Sequence, residues 1–309
     1  MSSPSSSSRL ISLLGLAVAA LPAHADEYSW QLSANASRVE TRGLDTDSWA
    51  VDGTYYLNAI DDGDGPLALA SFLNPTTHVS LEASKTELPL GFLDDPTVLA
   101  LNGAYVLPAQ KWYVGADYTE TSADDTGFFS RSESKGYGVE AGRYLGASTT
   151  LELGLGRFEQ SSETPAACPP TVCFGTPLDA DTTTDSVSLE VFHVRRFRSL
   201  TYSLQASVSR GEQQTDIRSS VTSLPLASGG RVPVRTYSVA GELFPTKALG
   251  VRLGYTQIES AGYRGDSYDA ATTWFFKPRF AIQVGLSRAS LELGPDKSDG
   301  ATVRFIGRL

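Results

Sequence analysis

The residues able to do chemistry are few. Past residue 25 there are two histidines, His78 and His193, and two cysteines, Cys168 and Cys173. His78 shares one face of an extended segment with Ser80 and Glu82. On a strand, residues two apart lie about 7 Å from each other. That is too far for the hydrogen bond a serine nucleophile needs from its base. His193 falls on the opposite, apolar parity near a turn, where a histidine can snorkel like an aromatic. The sequence has no Gly-x-Ser-x-Gly elbow, no His-Glu-x-x-His and no glycine-rich phosphate loop. The reading is a protein that is not an enzyme and takes no cofactor. Cys168 and Cys173 stand in a CPPTVC stretch with no histidine nearby, so a small local disulfide is expected rather than a metal site. The run Asp61-Asp62-Gly63-Asp64-Gly65 looks faintly like a calcium loop. It lacks the closing bidentate glutamate, and reads as an acidic glycine-rich turn.

What remains is carboxylate chemistry, and it is electrostatic rather than catalytic. Asp52, Glu82, Asp117, Glu140, Glu152, Glu190, Glu242 and Asp269 alternate with apolar residues, all on the polar parity of their segments. Basic residues on that parity are fewer: Arg252, Arg304 and Arg308. The same face carries small residues, among them Ser29, Ser33, Gly115, Gly136, Gly138, Gly154, Gly250 and Gly285. A face this small and charged leaves room for water, and an acidic water-filled space concentrates cations and repels anions. The competing account is that each acid is neutralised by an arginine across the strands. The whole chain has Lys+Arg 25 against Asp+Glu 35 in 309 residues, a net charge of -10. That balance excludes nucleic acid as a partner, because phosphate binding needs excess Lys and Arg.

The elements that must position these acids are strands. Leu249, Val251, Leu253 and Tyr255 alternate with Gly250, Arg252, Gly254 and Thr256, and the same period of two runs through 200–209, 150–156 and 280–287. No amphipathic helix of any length is evident. Alternation alone also suits a soluble sandwich. Three features favour a membrane barrel. Segments run about 10 to 14 residues, longer than the usual 5–6 of soluble strands. Connections alternate between tight turns (Pro108-Ala109, Gly146-Ala147, Phe197-Arg198, Pro245-Thr246, Lys277-Pro278) and longer polar loops (122–133, 162–182, 212–231, and shorter ones at 260–264 and 294–298). Aromatics crowd the tight turns: Trp112, Tyr113, Tyr144, Phe197, Tyr202, Phe244, Phe275, Phe276 and Phe280. These read as an interfacial girdle.

Segments near 27–38, 46–58, 76–87, 97–107, 110–121, 134–145, 148–160, 184–196, 199–211, 233–244, 248–259, 266–277, 279–293 and 299–309 give about 14 strands, within two. The fold expected is all-β, a transmembrane antiparallel up-and-down barrel over 26–309. An open sheet is excluded in lipid by the cost of unpaired backbone groups. The link 59–75 is long although it falls on the turn side. It is expected to tuck a short piece, Leu67 to Leu73, against the barrel mouth. Ahead of the barrel, Arg9, the apolar run Leu10–Leu21 and Ala23-His24-Ala25 read as a secretory signal peptide over 1–25.

The ending Val303-Arg304-Phe305-Ile306-Gly307-Arg308-Leu309 resembles the last strand of Gram-negative outer-membrane proteins, which insertion machinery reads. There an aromatic closes the chain; here Leu309 does. The stretch 64–74, DGPLALASFLN, is similar to that of the family "putative general bacterial porin". The resemblance implies a pore in the cell outer membrane, with membrane lipid, the insertion machinery and small hydrophilic solutes as partners. It supplies no catalytic residues, and it leaves the solute and the oligomeric state open. Two other readings stand beside the pore: a structural or adhesion barrel with its lumen plugged by loops 162–182 and 212–231, and a soluble exported β-protein.

Overall fold

The computed structural model describes residues 27–41, 44–61, 63, 65–88, 95–107, 109–123, 131–164, 178–219, 225–292 and 297–309. The expected signal peptide, the Cys168–Cys173 pair and the tips of the longest loops lie outside the described residues.

The strands are β1 (Glu27–Thr41), β2 (Leu44–Asp61), β3 (His78–Glu87), β4 (Thr97–Leu107), β5 (Trp112–Ala123), β6 (Arg131–Tyr144), β7 (Thr149–Thr164), β8 (Leu178–Phe197), β9 (Leu200–Ser219), β10 (Pro225–Ser228), β11 (Val232–Thr246), β12 (Leu249–Ser260), β13 (Tyr263–Lys277), β14 (Phe280–Leu291) and β15 (Lys297–Arg308). Every neighbour is antiparallel, and the sheet closes on itself. β1 pairs with β15 from Gln31↔Arg308 to Thr41↔Ser298. Backbone amides of Ser29 and Trp30 also donate to the Leu309 carbonyl at 2.7 and 2.9 Å. The result is a closed 14-strand antiparallel barrel. β10 pairs only with the far end of β9 and carries on the line of β11. Closure gives the wall its stability, because no row of N–H and C=O groups is left open.

Two sequence expectations need correction. The loops expected at 122–133, 162–182 and 212–231 begin and end as wall among the described residues: 122–123, 131–133, 162–164, 178–182, 212–219 and 225–228 are strand, and β8 and β9 stay paired out to Leu178↔Ser219. Polar strands persist there because cross-strand side chains bond each other, as in Ser161–Asp181 and Thr182–Thr215, both at 3.0 Å. β-branched Thr182, Thr183 and Thr184 also suit extended backbone. The turn expected at Pro245-Thr246 lies at Lys247-Ala248 instead. β11 runs through Pro245 by a register shift between Leu243 and Thr246, where a bulge tolerates a residue without an N–H. At the tight β8–β9 turn, Arg198 takes a left-handed φ of 56°.

The link between β2 and β3 folds back into the barrel at the short-turn end. It forms a 3-10 turn, Leu67–Leu69, followed by the single-turn helix α1, Ala70–Leu73. The dry contacts of the molecule gather around it. Ala70 packs with Tyr28, Tyr56 and Ile60; Leu67 packs with Phe275 and Ala281; Leu69 packs with Val194 and Phe244.

Candidate functional site

Sidedness follows from the ladder and from exposure. Leu253 and Leu286 are 64% exposed and Leu204 and Val284 51% exposed. These residues belong to the outward stripe. The opposite parity follows the register around the ring: Asp52↔Glu82, Glu82↔Ala100, Asn102↔Asp117, Gly115↔Glu140, Gly142↔Glu152, Glu152↔Glu190, Glu190↔Ser207, Glu242↔Arg252 and Gly254↔Asp269. Arg304 joins this face through Asn35↔Arg304.

The acids differ in how they are held. Asp52 accepts hydrogen bonds from Ser33 Oγ and, at 2.8 Å, from Arg304 Nη2, while Arg304 Nε reaches Ser33 Oγ at 2.8 Å. Asp269 lies 3.8 Å from Arg252. Glu190 accepts from Gln205 Nε2 at 2.9 Å. Glu152 accepts from the Tyr113 hydroxyl at 2.5 Å, and Glu140 lines the same cavity as Glu152. Glu82 and Asp117 form no side-chain hydrogen bond or ion pair among the described residues. Arginine neutralisation therefore accounts for Asp52 and Asp269, and leaves the β5–β8 wall acidic.

A feature missed at the level of sequence explains how large side chains leave space. Tyr113 lies across Gly142, Glu140 across Gly115, Asp117 across Gly138 and Asp269 across Gly254; a Cβ at any of these glycines would collide with the side chain above it. The side chains lie flat on the wall of the next strand instead of standing into the bore. Only the register reveals these pairs, so no local signal could have found them.

The aromatics near the short turns divide between two faces, which corrects the single girdle expected for them. Trp112, Phe197 and Phe276 are exposed outward. Tyr113, Phe244 and Phe275 are buried inside the mouth. The reason is parity: Trp112 and Tyr113 are neighbours and must face opposite ways.

The inner aromatics seat the link. Arg308, 2% exposed, places its guanidinium 4.6 Å from the Tyr28 ring and 4.7 Å from the Phe275 ring. Its Nη2 donates to the Leu67 carbonyl at 2.9 Å and its Nε to Gln31 Oε1 at 3.1 Å. Leu67 N–H reaches the Lys247 carbonyl at 2.9 Å, and Lys247 Nζ reaches the Gly63 carbonyl at 3.1 Å. Phe72 stacks edge-on with Phe192 at 4.5 Å. The link thus leans on β1, β2, β8, β11 and β13–β15. On the other side, a cavity of about 320 Å³ runs between it and β2–β7, lined by Ser71, Phe72, His78, Ser80, Tyr113, Glu140, Tyr144 and Glu152 among others.

His78 Nδ1 lies 3.2 Å from the Thr76 carbonyl and Ser80 Oγ 3.0 Å from Thr54 Oγ1, so the two do not pair. His193 Nδ1 pairs with Thr149 Oγ1 at 2.8 Å. Among the described residues, no group of three or more His, Cys, Asp or Glu could hold a metal ion.

The sequence profile of the family "Putative general bacterial porin" matches residues 8–163, half of the chain. The chain belongs to that family. None of the curated proteins matches the sequence. Among solved structures, Omp33 of Acinetobacter baumannii, an outer membrane protein, superposes with a TM-score of 0.58 at 18% identity, covering 92% of this chain and 99% of that one. CymD, a monoaromatic hydrocarbon channel, gives a TM-score of 0.58 at 10% identity, covering 92% and 89%. The molecule is thus a channel-like barrel of the outer membrane. In outer-membrane barrels short turns face the periplasm and long connections the outside; the seated link lies at the short-turn end of this one.

Proposed function

We propose that this porin is a passive diffusion pore for small hydrophilic solutes that favours cations, and that it catalyses no reaction. Asp52, Glu82, Asp117, Glu140, Glu152, Glu190, Glu242 and Asp269 line the pore, with Arg252 and Arg304 their partial counterweight. The observation that carries this reading is the acidic β5–β8 wall beside the cavity that the seated link leaves open. A solute passing the link must pass Glu140 and Glu152. Carboxylates held in a confined aqueous space bias permeation toward cations by their summed field.

A second reading, a closed barrel, draws on the dry packing of Leu67, Leu69 and Ala70 in the mouth. Single-channel recording of the refolded protein under a KCl gradient separates the two. A reversal potential on the potassium side supports the cation pore. One on the chloride side overturns the charge argument, and absence of conductance with a correctly folded barrel favours closure. We also infer that residues 1–25 direct export, and that Cys168 and Cys173 pair in the oxidising space beyond.

A further inference from the structure

We propose that the cavity beside the seated link is a binding site for a small organic cation, an ammonium carried on a flat apolar group. This deepens the pore reading and rests on it.

The cavity differs in kind from the rest of the acidic face. Asp52 has Arg304, and Asp269 has Arg252. Glu140 and Glu152 line the cavity together instead, and its lining contains no lysine or arginine. Two carboxylates on one cavity favour a positive partner, and the one basic side chain in the lining is His78, whose Nδ1 lies at the Thr76 carbonyl. The same lining is rich in aromatic rings. Phe72, from the link, faces Tyr144 at 6.4 Å between ring centroids, and Tyr144 faces Tyr113 at 5.5 Å. An ammonium between carboxylates and ring faces gains both charge pairing and cation–π attraction. The volume, about 320 Å³, lies at the small end of ligand cavities. It admits one ring or a short chain with its amine. A bare metal ion is a poor fit, since among the described residues no group of three or more His, Cys, Asp or Glu could hold one. A carboxylate or phosphate solute would meet Glu140 and Glu152 with no lysine or arginine to hold it.

Tyr113 fixes the arrangement. Its ring lies flat on Gly142, and its hydroxyl donates to Glu152 at 2.5 Å. One carboxylate oxygen is thereby held and the other left for the ligand.

The test uses the whole mature barrel refolded in detergent, with phenethylamine, the neutral 2-phenylethanol and methyl glucoside as probes in calorimetry at neutral pH. Saturable binding of phenethylamine is expected, with at least tenfold loss in Glu152→Gln and in Glu140→Gln, and no loss in Glu159→Gln on the outer face. Heat-modifiable migration on a gel verifies that each variant is folded. Equal binding of the alcohol, preference for the glucoside, or undiminished amine binding in both glutamine variants overturns the site. Potassium conductance measured on the same preparation separates the two levels. Conductance without amine binding refutes the site and keeps the pore; binding without conductance refutes the pore itself.

Discussion

The ring of Tyr113 lies across the backbone of Gly142 on the neighbouring strand, and its hydroxyl reaches Glu152 one strand further on. Three strands are tied by one side chain lying down. Gly142→Val removes the seat. The ring must then lift, at a cost of about 1–3 kcal/mol for overpacking. A lower urea midpoint for the refolded barrel is expected, with smaller conductance as the ring enters the bore. An unchanged midpoint would contradict the flat-lying geometry.

Arg308 holds the link from the last strand. Arg308→Ala leaves the Leu67 carbonyl without its donor and empties the slot between Tyr28 and Phe275. The expected loss is about 2 kcal/mol of seating free energy, roughly a thirtyfold shift toward the released link. Single-channel records should show larger or more frequent open levels, with Arg308→Lys intermediate. Wild-type conductance in the folded alanine variant would show that the link does not obstruct the pore.

The outward stripe makes a separate prediction. Leu253→Arg and Leu286→Arg place a charge at one of the most exposed apolar positions. In a bilayer such a charge costs about 2–4 kcal/mol near the midplane. Folding into vesicles should fall sharply while folding in detergent falls less. Equal yields in both media would place these leucines away from lipid.

At the rim opposite the seated link, Arg38 donates to Asp47 at 2.7 and 2.9 Å, and Arg288 donates to Asp299 at 2.6 and 3.0 Å. The arginine hydrogen bonds hold both carboxyls below their ordinary value of 3.8. Their contribution is therefore complete above the unfolded value and is lost as pH falls through the lower folded values. These pairs are solvent-exposed, so the effect is small and screened by salt. The unfolding midpoint should drop below about pH 4, and less so in the Asp47→Asn, Asp299→Asn double variant or in high salt. A midpoint flat down to pH 2 would remove these pairs from the stability of the rim.

The barrel was legible because its period is legible. Leu249 through Tyr255 and Phe280 through Leu286 alternate without a fault, and a chain crossing lipid as strands must close. The parity of Glu140, Glu190 and Glu242 could be read for the same reason. What the glycines do could not. Gly138 beneath Asp117 is meaningful only once β5 and β6 are in register, which residues far apart in the chain decide together. The inner aromatics hide likewise: Phe275 and Phe276 look alike in sequence, yet one meets Arg308 and the other meets lipid. Pro245 reads as a turn, and only a bulge in β11 lets it be wall. The strand ends opposite the seated link read as loops because their polarity resembles that of loops, although cross-strand bonds such as Thr182–Thr215 keep them paired.

The grip of Arg308 on Leu67 belongs to no single hairpin; it spans 241 residues, from the link after the second crossing to the final one. Until β13, β14 and β15 arrive, Leu67 has neither Phe275 nor Ala281 to rest on and no guanidinium to hold its carbonyl. The full seat of the link therefore exists only in the closed cylinder, where the first and last crossings meet.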